Sequence, residues 1–120
     1  MAYTTINKSS DYFNTKLYTG NDSAGHAITG VGFKPDWTWI KSRSTNTSHS
    51  LTDAVRGVGK NIKSDTSDAE FTNTNYVASF DSDGFTINDD GDINGNNRTY
   101  ASWNWKANGA GSANTTGSIN

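Results

Sequence analysis

The sequence predicts a single all-β domain with antiparallel strands. Residues 100–107 alternate apolar and polar side chains with the period of two that is typical of a strand. Asp81-Ser82-Asp83-Gly84 is a turn-forming sequence between two short apolar segments, as in a hairpin. No apolar run is longer than four residues, and a length of 120 residues fits one domain with one core.

Local signals place the individual strands. In chain order, the predicted strands span residues 16–19, 26–29, 36–43, 76–80, 85–88 and 100–107. Pro35 sets the start of the third strand, because proline cannot donate to the hydrogen-bond ladder of a sheet. In that strand Trp37 and Trp39 share one face and Ile40 lies on the other, which predicts a strand covered on both sides.

The segment 50–58 fits two patterns. Leu51, Ala54, Val55 and Val58 recur at helical spacing, and Ser50 and Asp53 are placed as in a capping box. Two glycines at 57 and 59 oppose a helix, because each costs roughly 1 kcal/mol in a helix interior. The segment also alternates as a strand would, and the strand interpretation is favoured.

The composition is polar, yet it predicts a folded chain. Of the 120 residues, 45 are Ser, Thr or Asn and only 32% are hydrophobic, but the net charge is −2 and 14 residues are aromatic. Trp37 and Trp39 are two residues apart, as are Trp103 and Trp105, so the two rings of each pair point to the same face of their strand. We therefore expect an aromatic core; a platform on which sugar rings stack is the alternative for these tryptophans. The predicted core residues are Trp37, Trp39, Phe80, Phe85, Trp103 and Trp105.

Composition also excludes several classes of function. The chain has no cysteine, which removes disulfides, thiolate metal sites and cysteine nucleophiles. A pI near 5.5 without a basic stripe argues against nucleic acid as a partner. The short apolar runs predict neither membrane insertion nor a signal peptide.

Five phrases occur together in an order that resembles a known module. They are residues 12–20, 28–43, 49–57, 79–87 and 100–107, among them Lys34-Pro35-Asp36-Trp37-Thr38-Trp39-Ile40. In combination they resemble the module found in tail-fibre and other virion-associated proteins of marine bacteriophages, including those of cyanobacteria and of abundant ocean heterotrophs. The resemblance covers residues 12–109, which leaves an N-terminal lead-in at 1–11 and a Gly/Ser/Asn-rich tail or linker at 110–120.

The resemblance implies an antiparallel β-sandwich of the jelly-roll, concanavalin-like (lectin-like) or SPRY-like kind. It carries over no catalytic residues, so we expect a non-enzymatic virion module that attaches to a host surface or glycan. A purely structural role in decoration or assembly is the alternative, and glycan cleavage is a weaker one because the chain has one glutamate, Glu70. The expected partners are other virion proteins and further copies of the chain. Synthesis in the host cytoplasm and residence in the phage particle are expected.

The loops contain the candidate binding residues, because specificity usually varies in loops on a fixed scaffold. The candidates are Asn46, Asp89, Asn96, Asn97 and Tyr76, with the loop around Asn21 and the tyrosines Tyr3, Tyr12 and Tyr100 as further contact positions. Tyrosine in a Ser/Asn-rich setting is typical of adaptable recognition surfaces.

Residues 90–95 match the first half of a calcium loop. Asp90, Asp92 and Asn94 supply oxygen at alternate positions and Gly95 occupies the sixth. The position of the closing bidentate glutamate is Ala101, inside the last strand. A turn in which these side chains bond to nearby backbone is favoured over calcium, and no other cofactor is expected.

His49, Ser50 and Asp53 have the residue types of a hydrolytic triad, but no nucleophile elbow accompanies them. We therefore predict a structural role for this polar group. Asp53 and Arg56 are expected to form an ion pair that orders the sheet edge, with His49 hydrogen-bonded to backbone.

Overall fold

The structure, a computed structural model, describes residues 7–107. Most of the predicted lead-in and the whole of the predicted tail at 110–120 therefore lie outside the described residues, as does Tyr3.

Nine short strands are present between residues 7 and 107. They are β1 (Phe13–Thr19), β2 (His26–Ile28), β3 (Trp37–Ser42), β4 (Ser50–Asp53), β5 (Lys60–Asn61), β6 (Phe71–Thr72), β7 (Val77–Asp81), β8 (Gly84–Ile87) and β9 (Thr99–Trp105). A 3-10 helix at Ser9–Asp11 precedes them, and a single helical turn, α1 (Gly91–Asn94), separates β8 from β9. Segment 50–58 is strand up to Asp53 and a turn after it, which confirms the strand interpretation for its first half.

The strands form antiparallel sheets that pack as a sandwich, which confirms the predicted fold class. A four-stranded sheet has the order β1-β9-β3-β4, a three-stranded sheet has the order β2-β8-β7, and β5 pairs with β6. The core lies between the two larger sheets. Its buried side chains are Ile28, Ile40, Tyr76, Val77, Phe85, Ile87, Ile93 and Tyr100.

The hairpin predicted at residues 81–84 is present. Asp81 pairs with Gly84 across a two-residue turn that joins β7 to β8. Gly84 has φ +153°, and a Cβ there would lie 1.9 Å from the carbonyl oxygen of Ile28. Only glycine allows β2 and this turn to approach so closely.

The inward face of the four-stranded sheet is largely polar. Thr38, Ser102 and Asn104 are fully buried. The Thr38 hydroxyl donates to Asn104 Oδ1 at 3.0 Å, while Asn104 Nδ2 donates to the carbonyl of Asn14 at 3.2 Å and to Ser102 Oγ at 3.1 Å. Among the described residues, no buried side-chain nitrogen or oxygen lacks a hydrogen-bond partner. These groups can face inward because they satisfy one another.

The prediction that the tryptophans form the core is wrong. Trp37, Trp39, Trp103 and Trp105 are half-buried and lie on the outward face of the four-stranded sheet. Alternation shows which residues share one side of a strand, but it does not identify the side that is turned toward the core. Here the Ser/Thr/Asn face of β9 and the face of β3 that bears Ile40 turn inward, so the large rings are left outside.

The two predicted phenylalanines do belong to the core region. Phe85 is fully buried within the hydrophobic cluster, and Phe80 is partly buried and packs against it.

Candidate functional site

The four tryptophans form one continuous aromatic surface, which we name the tryptophan face (Trp37, Trp39, Trp103 and Trp105). The register of β3 on β9 places Trp37 opposite Trp105 and Trp39 opposite Trp103. Trp37 and Trp105 stack with ring centroids 4.3 Å apart, and Trp39 meets Trp103 edge to face at 6.1 Å. Both arrangements are favourable for aromatic pairs, so the rings hold one another in place.

Two neighbouring rings extend this surface. The ring of Phe13 on β1 lies 5.0 Å from that of Trp105, and the His49 ring lies 5.6 Å from that of Trp39. An open cavity of about 280 Å³ is lined by Trp39, His49, Trp103 and Trp105. Its walls are therefore three indoles and one imidazole, which suits a ligand with an apolar face.

His49 is tied to the tryptophan face by its side chain. Trp39 Nε1 donates a hydrogen bond to His49 Nδ1 at 2.8 Å. Since an indole N–H can only donate, Nδ1 must carry the lone pair, and the proton of the neutral ring is assigned to Nε2. The prediction that His49 is hydrogen-bonded to backbone is wrong, because its partners are the side chains of Trp39 and Asp65. The backbone N–H of His49 donates to Asp65 Oδ1 at 3.1 Å.

Asp53 and Arg56 form the predicted ion pair at the end of β4. Arg56 Nε binds Asp53 Oδ2, and Arg56 Nη1 also reaches Glu70 at 3.2 Å. Burial works against ionisation of Asp53, but hydrogen bonds and charge from Arg56 outweigh it and lower the pKa of the carboxyl. Asp53 is opposite Trp37 in the sheet register, so this pair borders the tryptophan face.

The predicted binding loops meet at one end of the sandwich. The backbone N–H of Asn21 donates to Asn94 Oδ1 at 3.0 Å, and the Thr47 hydroxyl lies 3.5 Å from the carbonyl oxygen of Asp92. The loops around residues 21, 46 and 89–97 are thereby brought together. The candidates Asn46, Asp89, Asn96 and Asn97 are all exposed.

Two tyrosines proposed for exposed contact are instead structural. Tyr76 is 4% exposed and Tyr100 is fully buried. The hydroxyl of Tyr76 donates to Asp92 Oδ2 at 2.7 Å, and burial, together with this bond to a carboxylate, raises the pKa of the phenol. Both rings fill the core while their hydroxyls reach α1. Tyr12, by contrast, is 42% exposed, as expected.

The residues of the calcium half-loop have hydrogen-bonding roles of their own. Asp90 caps α1, with Oδ1 accepting from the N–H of Asp92 at 2.9 Å and Oδ2 accepting from Asn73 Nδ2 at 2.9 Å. Asn94 is buried, and its Oδ1 lies 2.8 Å from His26 Nδ1. Within residues 7–107, no three His, Cys, Asp or Glu side chains are grouped as metal ligands. The preference for a hydrogen-bonded turn over calcium at this loop stays a prediction.

Sequence reasoning missed the position of His49 beside Trp39. The two residues are ten apart in the chain, and the loop between β3 and β4 brings them together. The usable signal was the short β3–β4 connection after Trp39, which makes the strands neighbours.

No helix among the described residues is long and apolar enough to cross a membrane. Neither a curated protein nor a solved structure matches this chain. A family model described as domain of unknown function DUF7483 matches residues 8–120. This match includes the nine strands that the structure describes and every residue of the tryptophan face, and the chain therefore belongs to the DUF7483 family.

Proposed function

We propose that the domain is a non-enzymatic binding module of a phage particle, which attaches to a host-surface glycan through the tryptophan face. The observation that carries this proposal is the outward position of four half-buried tryptophans beside an open cavity of about 280 Å³. The resemblance of residues 12–109 to phage tail-fibre modules supports the virion setting.

The chemistry of the face favours a sugar ring. One side of a pyranose presents C–H groups, and these pack against an indole in the way that apolar surface does, at roughly 25 cal/mol per Å² removed from water. The stacked rings of Trp37 and Trp105 are already held by each other, so little side-chain freedom is lost when a ligand arrives.

His49 supplies a polar group at the same cavity. Because its Nδ1 accepts from Trp39, its Nε2–H is the atom available as a donor to a ligand hydroxyl. Asp53, a carboxylate that borders this face, is paired with Arg56, and Asp65 accepts a hydrogen bond from the backbone N–H of His49. A largely apolar surface with one neutral donor fits an uncharged glycan better than a strongly acidic one.

Direct binding tests this proposal. The 120-residue chain is titrated with neutral polysaccharides from the host envelope in a calorimeter, and an array of host glycans is probed in parallel. We expect weak binding, with Kd on the order of millimolar for about 4 kcal/mol, and at least a tenfold loss for Trp103→Ala. Val55→Ala, which alters a side chain 73% exposed outside the cavity, is the matched control and should bind as the parent does.

The alternative is a purely structural role, in which another virion protein covers the tryptophan face. It is favoured by the aromatic character of the whole cavity lining. It predicts that no host glycan binds, while Trp103→Ala prevents incorporation of the chain into particles. Glycan binding that is lost in Trp103→Ala would exclude it as the main role.

A further inference from the structure

Within the part of the chain that the structure describes, the four-stranded sheet has one edge that is covered and one that is not. At the β4 edge, Leu51 bridges to Ile62 through hydrogen bonds of 3.0 and 3.2 Å in the two directions. At the other edge, β1 pairs with β9 on one side only, among the strands of residues 7–107. β1 is seven residues long, and a strand of this length with an open edge is a template for pairing.

The pairing with β9 determines which backbone groups of β1 point outward. Lys106 N–H donates to the Tyr12 carbonyl at 2.7 Å, and Gly20 N–H donates to the Arg98 carbonyl at 2.8 Å. Antiparallel strands alternate bonded and non-bonded pairs, so the even-numbered residues between them also bond to β9. The N–H and C=O groups of Phe13, Thr15, Leu17 and Thr19 therefore point away from β9.

The side chains of β1 do not protect this edge. Phe13 is 38% exposed and Leu17 is 55% exposed, and both lie on the same outward face as the tryptophans. β1 contains no proline. Its one charged residue, Lys16, lies on the opposite face, where its charge helps to lower the pKa of Asp83. Edge strands usually carry a charge or a proline where neighbours would pair, and here the outward positions have neither.

We infer that β1 pairs antiparallel with β1 of a second copy, about a two-fold axis at Thr15. This register makes three hydrogen-bonded pairs, in which Thr15 faces itself and Phe13 faces Leu17 of the second copy in both directions. Each such pair exchanges two backbone hydrogen bonds. It also brings the two exposed apolar side chains of β1 into direct cross-strand contact.

Charge selects this register over the neighbouring one. An axis at Lys16 would also pair the outward backbone groups, but it would set Lys16 opposite Lys16 of the second copy, and like charges directly opposite are destabilising. With the axis at Thr15, Lys16 faces Asn14 instead. The resulting sheet has eight strands and presents two tryptophan faces on the same side, because odd-numbered residues of both β1 strands share one face.

Sedimentation equilibrium and a disulfide probe test the pairing in the 120-residue chain. We expect a mass of about twice the 12.9 kDa of one chain as concentration rises. The chain has no cysteine, so a single substitution gives a single thiol. Thr15→Cys should cross-link to itself under mild oxidation, because paired Cα atoms lie about 5.5 Å apart, within disulfide range.

Thr19→Cys is the matched control. Thr19 is an exposed threonine of the same strand, but in the inferred register it faces Asp11 of the second copy, so it should not cross-link to itself. Leu17→Lys should shift the equilibrium toward monomer while leaving the far-ultraviolet circular dichroism unchanged, because it places a charge at the paired edge.

The outcomes are distinct. A chain that stays monomeric, a Thr15→Cys variant that does not cross-link, or equal cross-linking of Thr19→Cys would each overturn the inference. Trp103→Ala should still dimerise, since Trp103 lies on β9, one strand inside the β1 edge, and its ring packs against Trp39 of β3. Loss of glycan binding and loss of dimerisation can therefore be told apart.

Discussion

Trp39 Nε1 and His49 Nδ1 are joined by a hydrogen bond of 2.8 Å across the β3–β4 hairpin. The bond fixes the tautomer of the imidazole, holds the indole against rotation and brings a polar atom to the edge of an aromatic surface. The same bond links β3 to the residue before β4, and both of its residues line the cavity of the proposed ligand site.

Removal of this acceptor should weaken the fold measurably. His49→Phe keeps an aromatic ring beside Trp39 but leaves the indole N–H without its partner, so we expect a loss of about 1 kcal/mol in the free energy of unfolding. Urea denaturation followed by tryptophan fluorescence measures it. His49→Asn is the control, because its amide oxygen can stand where Nδ1 does. Equal losses in both variants would show that the hydrogen bond contributes nothing.

Truncation of an inward aromatic side chain should lower the free energy of unfolding more than truncation of an outward one. Phe85→Ala removes a fully buried ring and should cost about 3 to 5 kcal/mol, whereas Trp103→Ala, at a half-buried site, should cost clearly less. Thermal or urea unfolding of the two variants measures both values. If Trp103→Ala proves the more damaging, the tryptophans have a core role that their outward position does not indicate.

The buried polar network should matter as much as the apolar core. Asn104→Ala leaves the Thr38 hydroxyl without its acceptor and removes the side-chain donor to the carbonyl of Asn14, so we expect a loss of about 1 to 3 kcal/mol in the free energy of unfolding. Lys106→Ala, an exposed change next to the end of β9, is the control and should lie within about 0.5 kcal/mol of the parent. Chemical denaturation distinguishes the two.

Acid should destabilise the domain in a window set by aspartates whose pKa is lowered in the folded state, among them Asp83 and Asp53. The N–H groups of Gly30 and Gly32 donate to Asp83 at 2.9 and 2.7 Å and lower its pKa; the pKa of Asp53 is lowered as well. A carboxyl whose pKa is lower in the folded state stabilises it above the ordinary value of 3.8. That stability is lost as pH falls below this value. Unfolding free energies measured down through this range should fall, and Asp83→Asn should flatten the curve.

Calcium should leave the melting temperature unchanged. Both oxygens of Asp90 accept hydrogen bonds from Asp92 and Asn73, and Asp92 accepts one from Tyr76, so these carboxylates already have partners within the fold. Scanning calorimetry with calcium and with a chelator compares the two states. A higher melting temperature in calcium that Asp92→Asn abolishes would establish a site at α1, because a ligand of the folded state alone raises stability.

Local signals predicted much of the secondary structure. The alternation of residues 100–107, the proline before β3 and the turn at residues 81–84 each act over a few residues, and each led to the correct strand or hairpin. The Asp53–Arg56 pair was also predictable, because its members are three residues apart. The loop candidates Asn46, Asp89, Asn96 and Asn97 are exposed, as expected of contact positions, whereas Asn94 is buried.

The sequence by itself determined an antiparallel all-β domain whose tryptophans share one strand face. Only the tertiary structure decided that this face is the outer one. Period-two alternation separates the two faces of a strand but does not identify the buried one. The buried face is the one against which the second sheet and its loops pack. Here Asn104, Thr38 and Ser102 satisfy one another inside, and the rings of Trp39 and Trp103 are left at the surface.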